Sequence, residues 1–337
     1  MPTVTPKTAG PDMSSPKTQI LAALRRASWI SGQALADAAG ISRAAIWKHI
    51  HALRREGYTI QASSGRGYRL EHAPDHLSPE GVHAGLQTEL LGRNLICRRS
   101  IDSTQNLAKS LGRQGAPEGT AVLAENQTQG RGRRGRSWAS IPHGVAVSLI
   151  LRPKTSPDKA PHFPLLAGTA LARAVSRVCG IWPGLKWPND LLISGRKVIG
   201  ILAELEAEMD RISAIYLGIG LNINAEAEDI PPDLASVATS LRIQAGRKID
   251  RLDLVRALLE ELEAAYYAYR LQGFGPIREA WKEHNITLGR QVRISSGREI
   301  ITGTAVDINE DGALRVRTEE QELVTVSAGD VQLCPAV

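Results

Sequence analysis

Cysteine is scarce. The 337 residues contain three, Cys97, Cys179 and Cys334, odd in number, far apart and without histidines beside them. That excludes a disulfide framework, offers no zinc-ligand spacing and points to a reducing, cytoplasmic setting. No apolar run approaches the roughly 18 residues a bilayer span needs, so no membrane partner is expected. Residues Met1–Ser15 are rich in Pro, Thr and Ser and lack the apolar stretch of a signal peptide, which predicts a flexible tail over 1–16. Charged residues at 23% and apolar residues at 42% exclude global disorder and suffice for real cores.

Positive charge is concentrated at one end. Residues 1–70 hold ten Lys/Arg against three acids, whereas the remaining 267 hold 31 against 32. Such a partition suggests a polyanion-binding module on a near-neutral body. Within it, Ile20, Leu21 and Leu24 form an apolar stripe after Pro16. Ser31 caps a second helix closed by Gly40, and Ser42 caps a third, Arg43 to Glu56, followed by Gly57. Ile46, Ile50 and Leu53 share its inward face. Ala44, Lys48, His51 and Arg55 lie opposite, with Arg43 and Trp47 on the flank, a surface that fits a major groove. Tyr58, Ile60 and Ala62 then alternate, Ser63–Gly67 turn, and Tyr68 and Leu70 return: a wing with Arg66 at its tip. The pattern predicts a winged helix-turn-helix over 17–72 whose DNA-contacting residues are Ser42, Arg43, Ala44, Trp47, Lys48, His51 and Arg66.

A linker is expected over 73–85 and an α+β body over 86–285. There the alternations Val145–Leu151 and Ile215–Ile223 read as half-buried strands in a mixed sheet with helices on one face. Residues 286–337 carry short strand candidates, Gln291–Ser295, Glu299–Ile308, Ala313–Thr318 and Glu322–Val326, which suit a small β-barrel.

Gly130, Gly132 and Gly135 satisfy G-x-G-x-x-G, but the context speaks against a dinucleotide site: no apolar strand leads directly in, no apolar helix follows, and no acid lies at the ribose-binding offset. Arginines at 131, 133, 134 and 136 instead describe a mobile cationic loop able to grip phosphate or carboxylate oxygens. Lys186-Trp187-Pro188-Asn189-Asp190 and Gly195-Arg196-Lys197-Val198-Ile199-Gly200 follow. Glycines and asparagines in Gly218-Ile219-Gly220-Leu221-Asn222 read as a strand approached closely by a ligand or another backbone. Taken singly, these features also fit a basic surface loop, a solvated strand-end lysine and an ordinary helix cap at Asp102-Ser103.

In this order, the Gly/Arg loop, KWPND and GRKVIG resemble the biotin–protein ligases, and the winged helix before them resembles the bifunctional members that are also biotin operon repressors. The resemblance runs from about Pro16 to Leu333. It implies a biotin/lipoate ligase-like sheet, an SH3-like C-terminal module, and ATP with Mg²⁺ as cofactors. It also implies biotin as substrate, a biotin carboxyl carrier protein as acceptor, operator DNA as partner, and a homodimer promoted by biotinyl-5′-AMP. Carried over by motif, Ser103, Thr104, Gln105, Gln127, Arg131, Gly132, Arg133, Lys197 and Gly200 bind biotin; Lys197, Arg131 and Arg133 are the catalytic set. Lys186, Asn189, Asp190 and Asn222 lie at the nucleotide and acceptor-lysine end, and no dedicated metal site of the protein is implied. The head-group motif departs from the family in reading Ser-Thr-Gln-Asn, leaving Gln105 and Asn106 as alternative contacts. Ala225–Ser240, the implied cover for adenine, has no aromatic residue. A ligand-sensing repressor without ligase activity, a ligase with a non-regulatory winged helix, and lipoyl ligation remain the competing readings.

Overall fold

A computed structural model describes residues 15–208, 210–296 and 299–334. Of the tail expected over 1–16, residues 1–14 lie outside the described residues. Ser15 caps, and Pro16 begins, the first helix.

Helices α1 (Pro16–Arg26), α2 (Gly32–Ala39) and α3 (Arg43–Arg55) precede the wing strands β1 (Thr59–Ser63) and β2 (Gly67–His72). Ser31 and Ser42 accept hydrogen bonds from Ala34 N and Ala45 N, and Gly40 takes the left-handed conformation (φ +63°) that ends α2. Ile20, Leu21, Leu24, Leu35, Ile46, Ile50, Leu53, Tyr58 and Ile60 form the core of this unit, each fully buried aliphatic contributing about 1.5–3 kcal/mol.

The segment 73–85 is not an open tether. It contains α4 (Pro79–His83); Val82 packs into the body's core and Ala84 into that of the winged helix. The apolar side chains are buried on both sides, so the connection is fixed to both units.

The body comprises β3 (Leu95–Ile101), α5 (Thr104–Arg113), β4 (Ala121–Gln127), β5 (Val145–Leu151), α6 (His162–Cys179), β6 (Gly184–Lys186), β7 (Asp190–Ile193), β8 (Arg196–Glu208) and β9 (Arg211–Leu221), then α7 (Leu241–Ala245), α8 (Arg251–Gln272) and α9 (Gly275–His284). Its seven-stranded sheet has the order β3-β4-β5-β9-β8-β7-β6, parallel only at β3–β4, where α5 makes the crossover. The expectation of helices on one face holds for α6, α8 and α9, but α5 covers the other face over Val122, Ile150 and Tyr216. With both faces covered, β5 and nearly all of β9 are fully buried, not half-buried. An apolar strand, β4, does lead toward the Gly/Arg loop, contrary to expectation; after it comes a single 3₁₀ turn, Arg133–Gly135. Asn222 lies just beyond the end of β9, while Gly218 and Gly220 are within it.

The C-terminal unit is a five-stranded antiparallel sheet: β10 (Gln291–Ser296), β11 (Glu299–Ile308), β12 (Leu314–Arg317), β13 (Leu323–Val326) and β14 (Asp330–Leu333), in the order β13-β12-β11-β10-β14. β14 escaped the sequence pattern. Among the described residues the end strands β13 and β14 do not pair, so the expected barrel is realised as a sheet with two ends. The unit is tied to the body: the Trp187 indole N–H donates to Gly312 O (3.0 Å), and Lys159 pairs with Asp311 (2.7 Å).

Candidate active site and nucleic-acid interface

A cavity of about 200 Å³ opens where α5, β4, β7, β8 and β9 meet the Gly/Arg loop and β14. At one end Ser103 caps α5, which buries Thr104 and Gln105 in the wall. Gln127 Oε1 accepts from Thr104 N (2.8 Å) and Thr104 Oγ1 (3.0 Å). Ser148 Oγ stands 2.9 Å from Thr104 Oγ1 and 2.8 Å from Gln105 Oε1; its single proton serves one of them at a time. The Gln105 amide donates to Tyr216 O (2.8 Å). These side chains form a preset wall of donors and acceptors.

At the other end the charge is positive. Arg131, Arg133, Arg136, Lys186 and Lys197 all line the cavity, against the carboxylates of Asp190 and Asp330. Lys197 Nζ lies 2.6 Å from Asp190 Oδ1 and 5.4 Å above the Trp138 ring. Arg133 donates to Asn189 Oδ1 (3.0 Å) and Gly329 O (3.3 Å). Burial lowers the pKa of Lys186 and of Arg133; the guanidinium stays charged regardless.

The Gly/Arg loop is folded back on itself. Arg131 pairs with Ser137 in a β-bridge, Gly132 N donates to Arg136 O (2.7 Å) and Trp138 N to Gly130 O (2.9 Å). Three of its arginines are held by the C-terminal sheet: Arg133 through Gly329, Arg134 through Ser295 O (2.7 Å), and Arg136 through an ion pair with Asp330. Arg131 alone of the four has no side-chain hydrogen bond or ion pair among the described residues and lines the cavity.

The strand glycines do provide close approach, but to side chains of this chain. A Cβ at Gly220 would stand 2.3 Å from Trp138 Cε2, one at Gly200 2.7 Å from Trp138 Cζ3, and one at Gly218 2.8 Å from Gln105 Oε1. Gly200 and Gly220 are register partners, so together they make a flat floor under the indole.

Of the residues expected here, Ser103, Thr104, Gln105, Gln127, Arg131, Gly132, Arg133, Lys186, Asn189, Asp190, Lys197 and Gly200 all line this one cavity. Asn222 does not. It is buried behind Trp138, its backbone bonded to Val198 and Leu241, beside a small space lined by Glu125. Sequence reasoning missed Ser148, whose signal was a lone polar residue in a fully buried apolar strand. It also missed Trp138, which follows the Gly/Arg loop and lines the cavity. Asp330 carried no local signal, since its place depends on a partner 194 residues away.

On α3 the residues Ser42, Arg43, Ala44, Trp47, Lys48 and His51 are all exposed and share the surface away from the core. The Arg66 guanidinium sits 4.5 Å over the Trp29 ring, with Arg69 5.1 Å from it, so the wing's cation is braced against the segment that joins α1 to α2.

Sequence profiles match this chain in three places: the HTH domain at residues 17–69, the Biotin/lipoate A/B protein ligase family at 97–222, and the Biotin protein ligase C terminal domain at 287–333. The Bifunctional ligase/repressor BirA of Bacillus spizizenii is 41% identical over 306 residues, covering 90% of this chain and 94% of that protein. The Escherichia coli BirA is 31% identical over 88% of this chain and 90% of its own. The solved biotin protein ligase of Aquifex aeolicus in complex with biotin and ATP superposes with a TM-score of 0.62 at 30% identity, over 72% of this chain and 99% of that one. The chain belongs to the biotin protein ligase family. Of the two head-group alternatives in this biotin protein ligase family member, Gln105 lines the cavity, and Asn106 donates to Asp102 Oδ2 (2.8 Å).

Proposed function

We propose that this protein is an ATP-dependent, AMP-forming biotin–protein ligase that acts in the cytoplasm on a lysine of a biotin carboxyl carrier protein, and that it represses transcription from operator DNA with biotinyl-5′-AMP as corepressor. The observation that carries the ligase reading is the convergence of Arg131, Arg133 and Lys197 on one cavity. Names of relatives support both halves: the Bacillus and E. coli proteins are ligase/repressors, and the Aquifex ligase was solved with biotin and ATP.

A biotin carboxylate and a triphosphate repel each other, and fixed cations offset that repulsion before reaction. In the first step a carboxylate oxygen bonds to the α-phosphorus while the α–β bridging P–O bond breaks, and pyrophosphate leaves with the electron pair. In the second, the acceptor amine attacks the carbonyl carbon of the mixed anhydride, the C–O bond to AMP breaks, and the amine proton passes to solvent. Lys197, Arg131 and Arg133 align and neutralise; none is a nucleophile. Ser103, Thr104, Gln105, Gln127 and Gly200 surround the biotin head, whose ureido group both donates and accepts. Lys186, Asn189 and Asp190 face the nucleotide end, with Asn222 supporting the wall behind Trp138.

No cluster of three His, Cys, Asp or Glu among the described residues holds a metal alone. The Asp190 carboxylate lines the cavity beside Lys197 and offers hard oxygens of the kind a Mg²⁺ arriving on the triphosphate takes. Asp190 would hold the ion, which would supply charge neutralisation of the phosphate oxygens.

A ligand that orders a dimer surface binds the dimer more tightly; biotinyl-5′-AMP thereby promotes a homodimer that reads a two-part operator. The test is pyrophosphate release with ATP and either biotin or lipoate. Release with biotin alone is expected, and release with lipoate alone, or with neither, contradicts the ligase reading. Biotin-enhanced, salt-sensitive binding to a biotin-biosynthesis promoter tests the repressor half.

A further inference from the structure

Trp47 stands on the flank of α3, 62% exposed, and it is the one large apolar side chain so exposed among the described residues of the winged helix. It takes no part in that unit's core, which Ile46, Ile50 and Leu53 fill from the same helix. Arg43 and His51 lie one turn to either side, and the indole packs on the His51 ring at 5.3 Å with a 42° tilt. That contact holds the indole upright and reduces the freedom it would lose on binding. Arg43 lies one turn back along α3, Lys48 is next in sequence and Arg55 lies two turns on, and none of them pairs with a carboxylate among the described residues. An apolar plate on a helix face that also carries unneutralised cations is complementary to a polyanion that carries an apolar group.

Base edges in the major groove differ in what they offer an indole, which has an apolar face and one N–H donor. Guanine presents acceptors without an apolar group, cytosine a donor, and adenine an acceptor beside a donor. Thymine alone presents a methyl group next to an acceptor, O4. The geometry points to Trp47 as the residue that reads the C5-methyl group of a thymine in each operator half-site, an inference that rests on DNA binding by this winged helix. Lys48 and Arg55 supply phosphate contacts, which position the helix without reading sequence.

The experiment uses the full-length protein with biotin and ATP. A duplex is selected from a random library with the wild-type protein, and each thymine is then replaced singly by uracil, which removes only the methyl. The expected result is one position per half-site where the wild type loses about fourfold in affinity, the worth of one buried methyl. Trp47→Ala loses a comparable factor on the thymine duplex, nothing further on the uracil duplex, and keeps the wild-type salt slope. Trp47 lies outside the core, so this variant folds, and Trp47→Gln serves as a second variant that keeps bulk without the apolar face. Lys48→Ala, by contrast, lowers the salt slope by about one. The proposal is overturned if no uracil matters, if Trp47→Ala retains the same uracil sensitivity, or if that variant changes self-association while binding the duplex as before. Absence of salt-dependent duplex binding by the wild type overturns the DNA reading itself, a separate outcome.

Discussion

Lys197 Nζ and Asp190 Oδ1 stand 2.6 Å apart on neighbouring strands, facing the same cavity as Arg131 and Arg133. The ion pair keeps the ammonium at one place beside the cavity. A triphosphate entering the cavity therefore meets a fixed cation that has only one carboxylate to exchange. Fixing charge before the reactants arrive is what lowers the cost of bringing two anions together.

Gly220→Ala puts a methyl group 2.3 Å from the Trp138 ring, and the flat floor gives it no room. The indole must leave its seat above Lys197. The expected cost is about 1–3 kcal/mol in denaturant unfolding, with weakened nucleotide binding by calorimetry. Wild-type stability and binding would show that Trp138 is not held there.

The sequence made the chemistry legible because the charged loop, Lys186–Asp190 and Lys197–Gly200 are each local motifs whose residue types state their purpose. Helix caps at Ser31, Ser42 and Ser103 were legible for the same reason. What failed was long-range. Whether β5 is half or fully buried depends on α5, which arrives from 40 residues earlier in the chain. The loop's contacts depend on Gly329 and on Asp330, which opens β14, a four-residue strand too short to show a period. Asn222 was placed by motif, whereas its burial is decided by backbone bonds to Val198 and Leu241.

Asp330 pairs with Arg136 and lies 3.7 Å from Arg134, so β14 holds the loop over the cavity. Asp330→Asn removes that charge while keeping the shape. The adenylate still forms, but water reaches the anhydride more readily. The expectation is a severalfold rise in free AMP released without acceptor, and unchanged release would contradict the latch.

Arg251, 3% exposed, joins Asp75 in the linker to Glu125 at the end of β4, at 2.6 and 2.7 Å. Arg251→Met strands Glu125, leaves Asp75 to Lys248 alone, and costs about 1–3 kcal/mol by denaturant unfolding. Burial alone would raise the Asp75 pKa, but hydrogen bonds from Lys248 and Arg251 outweigh it and hold it below the ordinary carboxylate value. A depressed carboxyl pKa stabilises the fold above the unfolded value and loses that contribution as pH falls through the folded one. Asp75→Asn is therefore less stable near neutrality and shows a flatter loss of stability on acidification. An unaltered acid limb would remove Asp75 from the account.

The most direct measurement is the single-turnover rate of biotin-dependent pyrophosphate release, wild type against Lys197→Ala. The convergence of cations on one cavity predicts a fall of about a hundred- to a thousandfold with the thermal unfolding transition in place. A near-normal rate from Lys197→Ala would contradict it.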